Sequence, residues 1–321
     1  MSFPVRDILG ILSDNLRLRE SVLPLPKRQM TAWSNGLGIK RGGETIIYTG
    51  HMYQLIPSIR LLASKMGKIE GSAAARYSWM ARIANRFIDL GWLTGKISPR
   101  EQGKYDEILR NIVKLLRRTG VDFGYLYDDE LYSGALAFDQ GLGELFITHA
   151  QKVYRLLKKN GVRHIITLDP HTTNMLRSVY PKLIDGYDIS VNTYLEVLVK
   201  ADITAQHPLD LDIVMHDSCI YARCEGLADK PRFLLKKAGA RIHEPELSGR
   251  LTHCCGGPIE SLFPGKAHDI AKRRLEQLGG CSKNITAMCP ICMVNLEDAK
   301  KGDIVIKDIS EHLVNVYCKR N

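Results

Sequence analysis

Apolar residues along this chain recur in two rhythms that take turns. Val5, Ile8, Leu9, Leu12 and Leu16 fall three or four apart and predict an amphipathic first helix. "LPLPKRQ" then breaks the pattern, and "GGETIIYTG" reads as a loop feeding a short buried strand. Residues 55–118 read as three helices, divided near Gly67-Lys68 and near Gly95-Lys96. Residues 142–159 form another helix, stopped by Asn160-Gly161 and followed by the strand "RHIITL". "TNMLRSVY" restarts a helix that Pro181 should end, and "TYLEVLVKA" gives the next one.

The same alternation runs through the rest of the chain. "LDIVMH" is a strand, "KPRFLLKKAG" a helix closed by Gly239, and "HDIAKRRLEQLGG" a helix closed by a glycine pair. "NITAM" is a strand, and "PICMVNLEDAK" opens a helix with Pro290 at its first position. "DIVIKDI" and "SEHLVNVYC" complete the series. Strands that alternate with helices predict an α/β architecture with mostly parallel sheets.

The two halves also resemble each other. "HIITLDPHTTNML" falls on "NITAMCPICMVNL", which matches Pro170 with Pro290 and Leu176 with Leu296. Asp169 and Thr172 then occupy the places of Cys289 and Cys292, and Tyr132-Ser133-Gly134 those of Cys254-Cys255-Gly256. His51 falls near the place of Cys219. Ser133 and Asp169 are separated by 35 residues, and Cys255 and Cys289 by 33. By contrast, 80 residues separate His51 from Tyr132, against 34 between Cys219 and Cys254. The chain therefore reads as two related units, the first carrying a helical insertion. The expected divisions are a helical lead-in over 1–45, a first unit over 46–200 with its insertion at about 68–118, and a cysteine-bearing unit over 201–321.

Composition narrows the class. The chain has 321 residues, 45% hydrophobic and 25% charged, enough for two domains of ordinary size. No apolar run reaches bilayer length, and the first twenty residues lack the pattern of a secretory signal, so a cytoplasmic protein is expected. The formal charge of +10 comes without a nucleic-acid motif, and pairs such as Lys236-Lys237 and Arg273-Arg274 lie in helical segments. We read this charge as a basic solvated surface, with no nucleic-acid partner. "RGGETIIY" lacks the Lys-Ser/Thr ending of a phosphate loop, and no Ser-His-Asp order or zinc-hydrolase signature is present.

The cysteines change the picture most. All eight lie between residues 219 and 318. A disulfide-stapled secreted domain would spread them along a shorter chain, so this crowding points to a metal site. Five of them form a framework of Cys219, Cys254-Cys255 and Cys289-Pro290-Ile291-Cys292 on three separate junctions. In an open α/β sheet such junctions meet at the carboxyl ends of the strands.

This framework resembles the cysteine-rich CCG domain of the heterodisulfide reductase B/D superfamily. The resemblance runs from about Leu23 to Val316, and "LPLPKRQMTAWSNGLGIKRGGETIIYTGHMYQL" is similar to the lead-in of the D-type proteins. It implies that Cys219, Cys254, Cys255, Cys289 and Cys292 bind a [4Fe–4S] cluster of non-cubane type. Neighbouring thiolates would bridge irons there, with Gly256 and Gly257 letting both adjacent side chains turn inward. It also implies a redox subunit that transfers electrons, or reduces a disulfide or a quinone-linked acceptor, with flavoprotein and iron–sulfur subunits as partners. The chain departs from the pattern in its first unit, where His51, Tyr132, Ser133, Asp169 and Thr172 stand in place of cysteines. That unit is expected to hold no iron–sulfur cluster. No ferredoxin-like run of cysteines is present either, which would place cubane clusters on other subunits.

Two other readings of the thiols stay open. Zinc would use four of the five and make the chain a docking or assembly subunit, as in a succinate dehydrogenase-type complex. The Cys289-Pro290-Ile291-Cys292 pair alone would suit a redox disulfide. Cys224, Cys281 and Cys318 lie outside the framework and read as ordinary thiols. His216 and His253 are candidates to donate to a cluster sulfur. Asp169 and His171 could join His51 around a metal, although an emptied former site is the expectation. The first helix is expected to pack on its own chain, with peripheral membrane contact as the alternative.

Overall fold

The computed structural model describes residues 5–69, 78–87 and 98–318. Nine short strands form two sheets, every pairing parallel. The first sheet contains β1 (Lys40–Arg41), β2 (Thr45–Tyr48), β3 (Gly124–Tyr125), β4 (His164–Thr167) and β5 (Ser190–Thr193), in the order β1-β3-β2-β4-β5. The second contains β6 (Asp212–Met215), β7 (Arg241–His243), β8 (Asn284–Ala287) and β9 (Val305–Asp308), in the order β7-β6-β8-β9. Without the edge strand β1, the two orders are the same.

The likeness extends to backbone detail. His164 and Asn284, matched in the sequence repeat, each open the pairing with the next strand, on Ser190 and Val305. Asp169 and Cys289 are both extended N-cap residues preceding a proline at the first helical position. Gly134 and Gly256 both take left-handed backbone, at φ 79° and φ 87°. Thr193 and Asp308 both begin helices through a capping box, with Glu196 and Glu311 as the third residue.

The central strands are buried from their second residue onward, as expected where helices cover both faces. β5 and β9 alternate exposed and buried positions because each is an outer strand. The first helix, Val5–Arg19, packs on Ser78–Phe87 and Gly143–Lys159, and Asp14 pairs with Arg86 at 3.0 Å. It therefore packs on its own chain. No helix among the described residues is long and apolar enough to cross a membrane.

Several expectations need correction. The helix Met52–Ile69 runs through the division expected at Gly67-Lys68. The division expected near Gly95-Lys96, like parts of the insertion at 70–77 and 88–97, lies outside the described residues. Pro181 does not end its helix. A π turn over Met175–Val179 shifts the register, which places Pro181 in the first turn of Tyr180–Leu183, where no N–H is needed. The strands β1, β3, β5 and β7 have no counterpart among the expected elements because they are short and carry no continuous apolar run.

The insertion also does more than decorate the first unit. In the helix Pro99–Arg118, Ile108, Leu109, Ile112, Val113, Leu115 and Leu116 are fully buried, and they share one core with Ile213, Leu234, Met293 and Tyr317 of the other half. Polar contacts reinforce this joint. Glu225 accepts from Asn174, Arg177 and Ser178, and the Tyr53 hydroxyl donates to the buried Asp308 carboxylate at 2.8 Å. A Tyr53→Phe variant leaves that carboxylate oxygen without its donor. Urea unfolding should show it less stable by about 1–3 kcal/mol.

Candidate metal centre

Three adjacent parallel strands, β7, β6 and β8, end on the same edge of the second sheet, and the cysteine framework follows their ends. Cys219 comes four residues after β6, at the start of a π turn over Ile220–Cys224. Cys254 and Cys255 end the loop that leaves β7. Cys289 comes two residues after β8, at the N-cap of Pro290–Ala299, and Cys292 lies in the first turn of that helix.

The structure brings all five sulfurs into one contiguous group. Cys255 Sγ lies 3.3 Å from Cys292 Sγ, Cys254 acts electrostatically on both Cys219 and Cys255, and Cys292 acts on Cys289. Cys255, Cys289 and Cys292 are buried, while Cys219 and Cys254 are half-buried. The adjacent cysteines can face one site because Gly256 turns the chain at φ 87°. A Cβ on Gly256 would lie 2.6 Å from the Ala267 carbonyl oxygen, and one on Gly257 would lie 2.3 Å from Ile291. Both glycines are therefore required by space, and Gly256 by conformation as well.

The protons divide unevenly among these sulfurs. Donation from Cys219 and Cys255 holds the Cys254 thiol well below its ordinary value. Burial pushes Cys289 up, but donation from Cys292 and His171 outweighs it and leaves Cys289 well below the usual thiol range. Cys219, Cys255 and Cys292 are raised because they act as donors within the group. The thiolate is the ligand form, and the neighbours of Cys254 and Cys289 favour it at those two positions.

Buried polar groups surround the sulfurs. His216 is 1% exposed, and one of its ring nitrogens lies within 4.8 Å of the Cys255 and Cys292 sulfurs. Arg274, fully buried, donates to His216 Nδ1 at 3.2 Å, so the ring carries its proton on Nε2. That Nε2 has no hydrogen-bond partner in the protein. Burial and the neighbouring Arg274 charge lower the His216 pKa to about 3, which keeps the ring neutral. Between the two histidines singled out in the sequence, His216 therefore has an unused donor beside the sulfurs. His253 instead spends its Nδ1 on the Cys254 carbonyl at 3.0 Å.

The first half contributes as well. His171 interacts electrostatically with Cys289 and pairs with Asp139 at 3.5 Å. Burial opposes its charge, but Asp139 and Cys289 together raise its pKa well above the ordinary value. The structure thus sets His171 against the cysteine group. Sequence spacing did not reveal this contact, because it crosses from one half to the other.

The residues expected at the cysteine-free counterpart follow the ends of β3, β2 and β4. Thr172 and Ser133 meet at 3.5 Å, and a Cβ on Gly50 would strike the Thr172 hydroxyl at 1.9 Å. Asp169 accepts from the Thr172 N–H at 3.0 Å, and burial raises its pKa to about 6. Tyr132 accepts from the Leu136 N–H. Among the described residues, the group able to hold a metal by ligand spacing is His216, Cys255 and Cys292. Cys224 is exposed, and Cys281 and Cys318 are half-buried; all three lie outside the framework.

The donor set fits an iron–sulfur cluster. Five soft thiol side chains follow the ends of three adjacent strands, Cys255 and Cys292 lie with His216 at ligand spacing, and the buried His216 Nε2–H lacks a protein acceptor.

Comparison with known proteins agrees with this geometry. The cysteine-rich domain family, CCG, matches residues 213–297. The chain is 33% identical over 212 residues to the probable iron-sulfur-binding oxidoreductase FadF of Bacillus subtilis, covering 62% of this chain and 30% of that protein. It is 32% identical over 213 residues to the EtfAB:quinone oxidoreductase of Syntrophomonas wolfei, with the same coverages. It is 25% identical over 214 residues to the D subunit of the dihydromethanophenazine:CoB–CoM heterodisulfide reductase of Methanosarcina barkeri, covering 62% of this chain and 52% of that relative. The chain thus spans about a third to a half of the length of these relatives. Residues 213–297, with the five-cysteine framework inside them, match the CCG cysteine-rich domain family, and the chain is similar to FadF and to the heterodisulfide reductase D subunit.

Proposed function

We propose that this chain is an iron–sulfur redox subunit in which Cys219, Cys254, Cys255, Cys289 and Cys292 hold one [4Fe–4S] cluster of non-cubane type. The observation that carries this reading is the placement of five cysteines at the ends of three adjacent strands, with Cys255 Sγ 3.3 Å from Cys292 Sγ. A fifth sulfur exceeds what tetrahedral zinc requires. FadF and the EtfAB:quinone oxidoreductase are both named as oxidoreductases, which supports a redox role.

When bound, the cluster supplies one-electron storage. The protein residues set its surroundings. His216 offers an N–H toward the sulfurs, fixed by Arg274. The charged His171, braced by Asp139, offsets negative charge at Cys289. Cys289 is the N-cap of Pro290–Ala299, and the helix N-terminus there favours negative charge on its sulfur. In this reading the chain works within a larger assembly whose flavoprotein and iron–sulfur partners deliver and accept the electrons. The Methanosarcina barkeri relative is itself one subunit of a heterodisulfide reductase, which supports that placement.

Electron paramagnetic resonance on anaerobically prepared protein tests the proposal, comparing the oxidised sample with one reduced by dithionite. A paramagnetic signal in one redox state, with bleaching of the visible absorption on reduction, is expected. A silent, colourless sample with one zinc per chain would replace it with the docking-module reading.

A further inference from the structure

A cavity of about 160 Å³ lies in the first half, apart from all five framework cysteines. Its floor holds two buried polar side chains that face each other at 4.0 Å and each keep one unpaired atom. His51 is 9% exposed and Glu130 is 3% exposed, and both line the cavity. Glu130 Oε1 accepts from the Thr49 N–H at 2.9 Å and from the Thr49 hydroxyl at 2.6 Å. Its second oxygen, Oε2, has no partner, and neither has His51 Nδ1. Two orphaned polar atoms in one buried recess are costly unless something fills it. Burial raises the Glu130 pKa to about 8 and lowers that of His51 to about 3. At neutral pH the floor is therefore uncharged, able to donate from the Glu130 carboxyl and to donate or accept at His51.

The rim differs in character. Its acids are already paired: Glu20 with Lys152, and Asp128 with Arg41. Its bases are not. Arg19 bonds only the neutral acceptors Asn15 Oδ1 and the Asn85 carbonyl, and Lys27 is exposed. Neither forms an ion pair among the described residues. Asp129 shares Arg41 with Asp128 and Lys27 acts on Asp128, so Arg19, Lys27, Arg41 and Lys152 against Glu20, Asp128 and Asp129 leave one net positive charge above an uncharged polar floor.

The backbone gives a third, independent sign. Four non-glycine residues among those described have positive φ, and three of them line this cavity: Glu20 at 62°, His51 at 63° and Tyr127 at 55°. Such strain gathers where a chain is held for binding.

We propose that this cavity binds a small organic carboxylate that carries a second hydrogen-bonding group, with its anionic end at Arg19 and Lys27 and its polar end at His51 and Glu130. The volume limits the ligand to a handful of non-hydrogen atoms. The site does not depend on the cluster, so a Cys255→Ser protein should bind the same ligand.

Titration calorimetry on the full chain with matched probes tests this. The probes are 3-hydroxypropionate, 4-hydroxybutyrate and 5-hydroxypentanoate, with butyrate and butane-1,4-diol as partners that each lack one end. One hydroxy acid is expected to bind at least about tenfold more tightly than butyrate and the diol. Lys27→Met and His51→Asn should each weaken that binding by about fivefold or more. Lys27 is exposed, so its variant should keep the wild-type melting temperature and separate lost binding from lost folding. Equal binding of butyrate would overturn the role of the floor, and equal binding of the diol that of the rim. No binding by any probe at millimolar concentration would overturn the site. Binding of a divalent metal ion in place of the hydroxy acids, abolished in His51→Asn, would make it a metal site instead.

Discussion

A Cys255→Ser variant prepared without oxygen is expected to lose most of its iron, with at least about a tenfold drop in retained iron per chain. Cys255 joins the two arms of the framework. It adjoins Cys254 in sequence on one side and lies 3.3 Å from Cys292 on the other. A serine oxygen is a harder, poorer ligand for iron and stays protonated in this buried setting. The exposed, off-framework Cys224 supplies the control, because Cys224→Ser should keep the wild-type iron content. Equal iron in wild type and Cys255→Ser would remove Cys255 from the ligand set.

Gly256→Ala is expected to lose both stability and iron. At φ 87° an alanine is strained, and its Cβ would sit 2.6 Å from the Ala267 carbonyl oxygen and 3.0 Å from the Ala267 Cα. These are backbone atoms of the helix Pro264–Gly279 and have no flexible route away. The cost is about 2–4 kcal/mol, seen as a lower urea midpoint. Moving the turn also redirects Cys254 and Cys255, so iron should fall with it. Gly134→Ala provides the comparison. Gly134 takes nearly the same conformation in the first half, and its Cβ would meet the Phe146 ring at 3.0 Å. That variant should lose stability and keep its iron. Iron loss of equal size in both would mean that the effect reports folding alone.

Glu130 carries a pH-dependent cost that a third variant should expose. Its folded pKa of about 8 lies above the ordinary carboxyl value. The stability it contributes is present in acid and is lost as pH rises from about 4.5 to about 8. Glu130→Gln cannot ionise. Relative to wild type it should gain more than about 1.4 kcal/mol between pH 5 and pH 8, the equivalent of one pKa unit. Asp169 and Glu260 titrate near the same range in both proteins and cancel in the difference. Parallel stability curves would contradict the assignment.

Much of this architecture was readable in the sequence because short central strands and their helices leave clear punctuation. Pro170 and Pro290 open equivalent helices, and Gly134 and Gly256 make equivalent turns. The cysteine framework was readable for a related reason. Its members follow strand ends, and a parallel sheet gathers strand ends on one edge. Other features were hidden because they depend on packing between distant segments. Gly124 and Tyr125 form a two-residue strand that no periodicity can mark. The fully buried face of Pro99–Arg118 reads as an ordinary amphipathic helix, and only the fold shows that it joins the halves. His171 reaches Cys289 from 118 positions earlier, and Arg274 fixes the His216 ring from 58 positions away. The His51–Glu130 recess was hidden too, because its two orphaned atoms emerge only once their neighbours are known.

Metal and acid-labile sulfide analysis of the anaerobically purified chain, read with its visible spectrum, tests the central claim most directly. The account predicts about four irons and matching sulfide per chain with broad visible absorption. A colourless chain with one zinc and no sulfide would contradict it.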